Sequence, residues 1–231
     1  MAPLRWLQQL LDVALPNICP GCTQHRPPRG QWLCLSCEAR LPLTDFHRFS
    51  ENRVTDRLWG RIPLEAATAM LLFRKDGIAQ NLIHHLKYKG RQDVGYQLGK
   101  RYGYLLRQQA PYHTVDAIVP VPLHLRKLQM RGYNQAAIFG QGLATTMHVP
   151  VIANALQRTR FTQTQTRKSL DERIRNVTGA FSLNQSQELQ GKHLLLVDDV
   201  LTTGATLESC AQLLLSVADV RLSVATLAIA Y

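Results

Sequence analysis

A chain of 231 residues, 45% of them hydrophobic, can bury one sizeable core and carry a small appendage, and no internal repeat marks it as a solenoid. Lys and Arg number 27 against 16 Asp and Glu, which leaves a formal net charge of +11. That imbalance favours polyanionic partners such as nucleic acid, a sugar polyphosphate or anionic lipid, without choosing among them.

Residues 4–15 read as an amphipathic helix. Gln8, Gln9 and Asp12 interrupt the apolar run, so it is neither an export signal nor a membrane span, and a reducing cytoplasm is the expected compartment. Next come Cys19-Pro-Gly-Cys22 and Cys34-Leu-Ser-Cys37, two CxxC pairs joined by a short loop. Their thiolates can converge on one tetrahedral centre, which is zinc-knuckle spacing, and Pro20-Gly21 supplies the tight turn that faces both sulfurs inward. A structural zinc ion held by Cys19, Cys22, Cys34 and Cys37 is the favoured reading; a redox dithiol pair and disulfides are the alternatives. His25, between the pairs, reads as solvated. From Leu41 to Arg61 the periodicity fades and Pro, Ser, Asn and Gly accumulate, as in a linker.

Beyond it, apolar strands and amphipathic helices alternate. Residues 67–73 predict a strand, while Ile78, Leu82, Ile83 and Leu86 stand at helical spacing, and residues 93–109 repeat that signal. Residues 115–121 predict another strand, 135–147 a small-residue helix, 194–197 a strand buried on both faces, and 222–230 a last strand. Such alternation implies a parallel α/β sheet with right-handed crossovers. The strand at 115–121 runs into Val119-Pro-Val-Pro122, and proline has no N–H to continue a ladder, so the backbone must leave the sheet there. Arg126, Lys127 and Arg131 follow, either as cations aimed at a polyanion or as a solvated basic turn. His124 either orients a phosphate or packs.

Residues 193–207 carry the strongest chemical signal. Leu194 to Val197 make the buried strand, and Asp198 and Asp199 stand at its carboxyl end, where ligands bind in parallel sheets. Adjacent carboxylates repel unless something neutralises them, and their oxygens suit vicinal sugar hydroxyls or a Mg²⁺ brought by a polyphosphate. Thr202, Thr203, Gly204, Ala205 and Thr206 then offer successive N–H groups, short hydroxyls and a glycine free to take positive φ, just where a helix begins. The bland alternative is a capped helix after two solvated aspartates. In the helix itself Leu207, Cys210, Ala211 and Leu214 form a core stripe, so Cys210 reads as packed.

This string resembles the phosphoribosyl-pyrophosphate (PRPP) motif of the type I phosphoribosyltransferases. The resemblance implies that Asp198 and Asp199 hold the ribose 2- and 3-hydroxyls and that residues 202–206 cradle the 5-phosphate. Residues 116–124, the Arg131-Gly-Tyr-Asn-Gln135 stretch, residues 158–176, Leu86-Lys-Tyr-Lys-Gly90 and the cysteine pairs extend the likeness to the ComF family of bacterial competence and DNA-utilisation proteins.

That resemblance implies an α/β fold: a mostly parallel phosphoribosyltransferase-like sheet flanked by helices over residues 63–231. A zinc ribbon within residues 1–45 would precede it, with a linker at 46–62. It implies that Val121, Pro122 and Leu123 meet the pyrophosphate, with Arg126 and Arg131 beside the acidic pair in the chemistry. It also places a mobile hood near residues 159–176, where Gln163, Gln165, Arg167, Lys168 and Arg173 would cover the site or track a nucleic-acid backbone, with Phe161 and Tyr133 for stacking. The implied role is PRPP binding in DNA uptake or use, with single-stranded DNA and a competence helicase as partners. Whether ribose phosphate is transferred stays open, as does the alternative of a salvage phosphoribosyltransferase with no DNA role.

Overall fold

The structure is a computed structural model that describes residues 18–159, 179–184 and 186–230. The helix expected at 4–15 and the hood residues Gln163, Gln165, Arg167, Lys168 and Arg173 lie outside the described residues.

Four parallel strands form the sheet: β1 (Ala66–Phe73), β2 (Ala117–Pro120), β5 (His193–Leu201) and β6 (Arg221–Ala230), in the order β1-β6-β5-β2. A short antiparallel pair, β3 (Leu156–Arg158) with β4 (Phe181–Leu183), stands apart. The continuous apolar run at Leu194 to Val197 has the burial that its composition demands, all four side chains being inaccessible to water. Its ladder does not stop with the hydrophobic pattern. Asp198 pairs in register with Thr226, and β5 runs on to Leu201.

Helices cover both faces. On one lie α3 (Ile78–Tyr88), α4 (Gln92–Leu106) and α6 (Gln135–Met147), packed through Leu82, Leu86, Leu98, Tyr102, Phe139 and Leu143. α4 and α6 touch backbone to backbone, since a Cβ at Gly99 would strike the Phe139 carbonyl and one at Gly142 the Tyr96 carbonyl. The opposite face carries α2 (Arg53–Leu58), α7 (Ser186–Leu189) and α8 (Ala205–Leu215), with Val54, Leu58, Leu207, Cys210 and Leu214 in its core.

Residues 46–62, read as a linker, are structured. A 3-10 turn at Phe46–Arg48 leads to α2, whose capping box is built on Asn52 and Thr55. The Asn52 amide also donates to the Ala67 carbonyl at 2.9 Å, which fastens the turn to β1. With six residues and only Val54 and Leu58 buried, α2 shows too little periodicity to be recognised from sequence. A second unexpected helix, α5 (Leu125–Arg131), buries no residue at all.

The cysteine segment is part of the main core. Cys19, Leu33, Cys34 and Cys37, which precede or lie in α1 (Leu35–Ala39), share one apolar cluster with Met70, Leu82 and Tyr102. Asn81 of α3 donates to the Gly21 carbonyl at 2.8 Å, and Arg101 of α4 pairs with Glu38.

Candidate functional site

Side chains alternate along β5, so its two aspartates leave the strand on opposite sides. Asp198 follows Leu194 and Leu196 toward the α8 face, within electrostatic reach of Arg158 and Cys210. Asp199 follows Leu195 and Val197 toward α3, where Lys87 meets it, Nζ to Oδ2 at 2.8 Å. The Asp199 N–H donates back to Asp198 Oδ1 at 2.7 Å. Burial above all, and then the charge of Asp199, push the Asp198 carboxyl up to about 7; the Asp199 N–H, Lys87 and Arg158 pull the other way without prevailing.

Past Leu201 the chain turns at Thr202, Thr203 and Gly204 into α8. Gly204 takes φ +83°, and a Cβ there would lie 2.9 Å from a Leu58 methyl and 3.2 Å from the Arg61 guanidinium, so both backbone and space require glycine. Arg57 donates to the Thr202 carbonyl at 2.7 Å and to the Ala230 carbonyl at 2.8 Å, while Arg61 donates to the Thr203 carbonyl at 2.8 Å and pairs with Glu208. Among the described residues, no protein acceptor takes the N–H of Thr203, Gly204, Ala205 or Thr206, and α8 has no side-chain cap. Four amides without an acceptor among the described residues thus lie at a helix N-terminus a few residues past the two carboxylates.

The third side of the site comes from the segment after β2. Val121 still donates to the Val197 carbonyl at 2.9 Å, and Asn134 holds the Val121 carbonyl with its amide while capping α6 with its Oδ1. Pro122 and Leu123 cross to α5, which His124 caps by accepting the Arg126 N–H at 3.1 Å. Lys127, depressed chiefly by burial, feels the charges of Arg158, Arg131, Lys87 and Asp199 together. Arg131 donates to Gln135 at 2.8 Å and lies over the Tyr88 ring, 5.3 Å from its centroid. His124 is held below its ordinary value first by desolvation and then by the charges of Arg158, Arg126 and Lys127. Lys87, Lys127, Arg131 and Arg158 therefore form a cationic arc around the acidic pair.

The cysteines converge as their spacing demands. The four Sγ atoms all lie within 4.8 Å of one another, and Cys22 and Cys34 stand 3.8 Å apart. A tetrahedral zinc with Zn–S near 2.3 Å sets its sulfurs about 3.8 Å apart, so donor set and spacing fit that ion. Gly21 is needed here, since a Cβ would come 2.9 Å from Cys37 Sγ. Burial and the neighbouring sulfurs push the Cys37 thiol up, a crowding that a bound cation relieves. Burial also resists ionisation of Cys22, but N–H groups of His25 and Gln24 and the His25 ring outweigh it and bring that thiol to about 6. His25 is exposed with its Nδ1 3.5 Å from Cys22 Sγ, beside the four-sulfur set.

The profile of the phosphoribosyl transferase domain matches residues 130–229. The DNA utilization protein YhgH of Escherichia coli (strain K12) is 39% identical over 139 residues, covering 58% of this chain and 60% of that protein. Competence protein ComFC of Bacillus subtilis (strain 168) is 25% identical over 201 residues, covering 86% of this chain and 72% of that one. The chain is a relative of the ComF proteins. It spans 60% of the length of the Escherichia coli relative. Among solved structures, the glutamine PRPP amidotransferase of Bacillus subtilis in complex with ADP and GMP aligns with TM-score 0.39 and 19% identity, over 61% of this chain and 30% of that one. The fold is type I phosphoribosyltransferase-like, a parallel sheet flanked by helices. Among the described residues no helix is long and apolar enough to cross a membrane.

In this ComF relative the expected residues Asp198, Asp199, Thr202, Thr203, Gly204, Ala205 and Thr206 lie together. Val121, Pro122 and Leu123 form the adjoining wall, and Arg131 stands at its far end over Tyr88. Tyr133 is no free stacking platform, because its hydroxyl donates to the Leu86 carbonyl and its ring packs on the core. Tyr88, 63% exposed, is the accessible ring on this rim. Lys87, Arg158, Arg57 and Arg61 carry weight that sequence reasoning did not assign. For Lys87 the signal was its place in the Leu86 to Gly90 stretch of the family resemblance.

Proposed function

We propose that this ComF relative binds PRPP, or a closely related ribose phosphate, and does so in the service of DNA uptake or use. One observation carries the reading: two carboxylates at the end of a buried strand adjoin a turn whose amides have no acceptor among the described residues, with a cationic arc opposite. Asp198 and Asp199 would accept the ribose hydroxyls, and residues 202–206 would take the 5-phosphate on N–H groups at a helix N-terminus. Mg²⁺ would arrive with the polyphosphate and supply charge neutralisation there. Lys87, Lys127 and Arg131 would face the pyrophosphate, with Arg126 next to Lys127 in the chain. Fixed cations aimed at a leaving group whose charge grows as the C1–O bond breaks lower the barrier to transfer onto a nitrogen acceptor. Zinc on the four cysteines would be structural.

The test is calorimetric titration with PRPP and Mg²⁺, followed by pyrophosphate release with a panel of nucleobases. Binding with release makes the protein a phosphoribosyltransferase; binding without release makes it a PRPP-dependent module; no binding in the wild type removes the reading.

A nucleic-acid role draws support from the cations of α5, of which Arg126 is exposed and Lys127 and Arg131 are half-buried, and from the name of the Escherichia coli relative. Single-stranded DNA held on Arg126, Lys127 and Arg131 should bind with an affinity that falls steeply with salt. Replacing Asp198 and Asp199 with Asn separates the functions: PRPP binding is lost and DNA binding stays. Oligonucleotide binding that is absent, or indifferent to salt, removes the DNA role.

A further inference from the structure

We infer that Arg57 and Arg61 are positioning residues that set the anion-binding face of the phosphate turn from behind. The inference rests on the ribose-phosphate reading and adds to it two side chains, Arg57 on α2 and Arg61 in the turn that follows it.

A trans peptide unit points its C=O and the following N–H in opposite directions. Fixing the carbonyls of Thr202 and Thr203 therefore fixes the N–H groups of Thr203 and Gly204. Arg57 holds the first carbonyl at 2.7 Å and Arg61 the second at 2.8 Å, both from the α2 side. Those two amides then face away from α2, toward the side on which an anion can approach. The guanidinium is suited to this task because it presents several N–H donors in a rigid fork. Arg57 spends them on two carbonyls, tying the end of β6 at Ala230 to the turn. Arg61 divides them between Thr203, the Arg57 carbonyl at 3.3 Å and the Glu208 carboxylate one turn into α8. Gly204 fits beneath this clamp with no room for a side chain. A turn lined by small hydroxyl residues has many conformations; the clamp selects the one whose amides converge, so the ordering is done before the ligand arrives.

The test uses the full chain with Arg57→Ala, Arg61→Ala and Arg61→Lys, each checked for folding by circular dichroism. Ribose 5-phosphate with Mg²⁺ probes the turn, and inorganic pyrophosphate probes the cationic arc. Amide relaxation of Thr203 and Gly204 by NMR reports the turn with no ligand present. The two alanine variants should weaken ribose 5-phosphate by tenfold or more, change pyrophosphate by less than twofold, and loosen the Thr203 and Gly204 amides. Arg61→Lys should recover part of each, since an ammonium can still reach a carbonyl. Folded alanine variants that hold ribose 5-phosphate within twofold of wild type, or keep both amides as ordered, overturn the inference. A wild type that ignores ribose 5-phosphate removes the phosphate reading instead, and the relaxation data alone then decide whether the arginines shape the turn.

Discussion

Lys87 at the end of α3 and Asp199 near the end of β5 meet at 2.8 Å with side chains 20% and 17% exposed, and this ion pair joins the helix that leans on the cysteine centre to the strand that carries the acidic doublet. Partly dehydrated charges interact more strongly than surface pairs, and removing one leaves the other uncompensated. Here the uncompensated carboxylate would adjoin Asp198, which already resists ionisation. Lys87→Gln should therefore lower stability by about 1–2 kcal/mol at pH 8. Because the same ammonium belongs to the arc proposed for pyrophosphate, PRPP affinity should fall about tenfold, as for the loss of one charged hydrogen bond. Calorimetry and thermal melting of the variant measure both, and unchanged PRPP affinity would take Lys87 out of the site.

Asp198 makes the site dependent on pH in a defined direction. Its carboxyl is raised from 3.8 to about 7 by burial and by Asp199. Between those values the folded chain keeps a proton that the unfolded chain has released, so rising pH erodes stability, and above about 7 the full penalty is present. Asp198→Asn keeps an oxygen for the Asp199 N–H and removes the charge. It should stabilise the ligand-free protein by about 2 kcal/mol at pH 8 and hardly at all at pH 4. If Asp198 accepts a sugar hydroxyl as proposed, its ionised form is the better acceptor, and ribose 5-phosphate should bind more tightly at pH 8 than at pH 6. Melting curves and titrations at those pH values check it; a variant that gains equally at pH 4 and pH 8 would assign the effect to something other than this proton.

Sequence patterns reveal some of these features and conceal others for physical reasons. The Leu194 to Val197 run is legible because a strand covered on both faces must be apolar throughout, and the CxxC pairs are legible because a tetrahedral ion needs that spacing. The aspartates look like the end of a strand, yet the ladder runs past them to Leu201, since backbone pairing does not depend on side-chain hydropathy. Lys87 follows Leu86 on an amphipathic helix, so its position is that of a solvated face, and only the fold brings Asp199 to it. Arg57 and Arg61 stand 145 and 142 residues from the carbonyls they hold, and nothing local signals that contact. α5 escapes notice because a helix with no buried residue has no apolar face to read.

The cysteine centre and the proposed ribose-phosphate site are joined through α3. Gly21 accepts from Asn81 near the start of that helix, its Cα faces Cys37 and Ile78 with no room for a Cβ, and Lys87 reaches Asp199 from the other end. One zinc per chain is expected by native mass spectrometry. Stripping it with a chelator, or replacing Cys34 with Ser, should lower the melting temperature and also weaken ribose 5-phosphate several-fold. Zinc restored to the chelated protein should recover both. Chelated protein that melts early but binds ribose 5-phosphate as before would show that α3 holds its place without the metal.

Gly204 offers the sharpest single substitution. At φ +83° an alanine pays the left-handed penalty of about 1 kcal/mol, and its Cβ would also press on Leu58 at 2.9 Å and on Arg61 at 3.2 Å. Leu58 is buried in the core beneath α8, so the strain cannot be relieved by turning a side chain out to water. Relief must come from the turn, which would move the Thr202 and Thr203 carbonyls off the positions that Arg57 and Arg61 fix. Gly204→Ala should thus lose about 2–3 kcal/mol of stability and bind ribose 5-phosphate at least tenfold more weakly, while pyrophosphate, proposed to lie against α3 and α5, changes little. Gly132, which also has positive φ at +78° but has nothing near its Cβ, is the internal control. Gly132→Ala should show the backbone penalty alone, with ribose 5-phosphate affinity intact. Equal losses of affinity in the two variants would mean that backbone strain, and not the fit under Leu58 and Arg61, governs the turn.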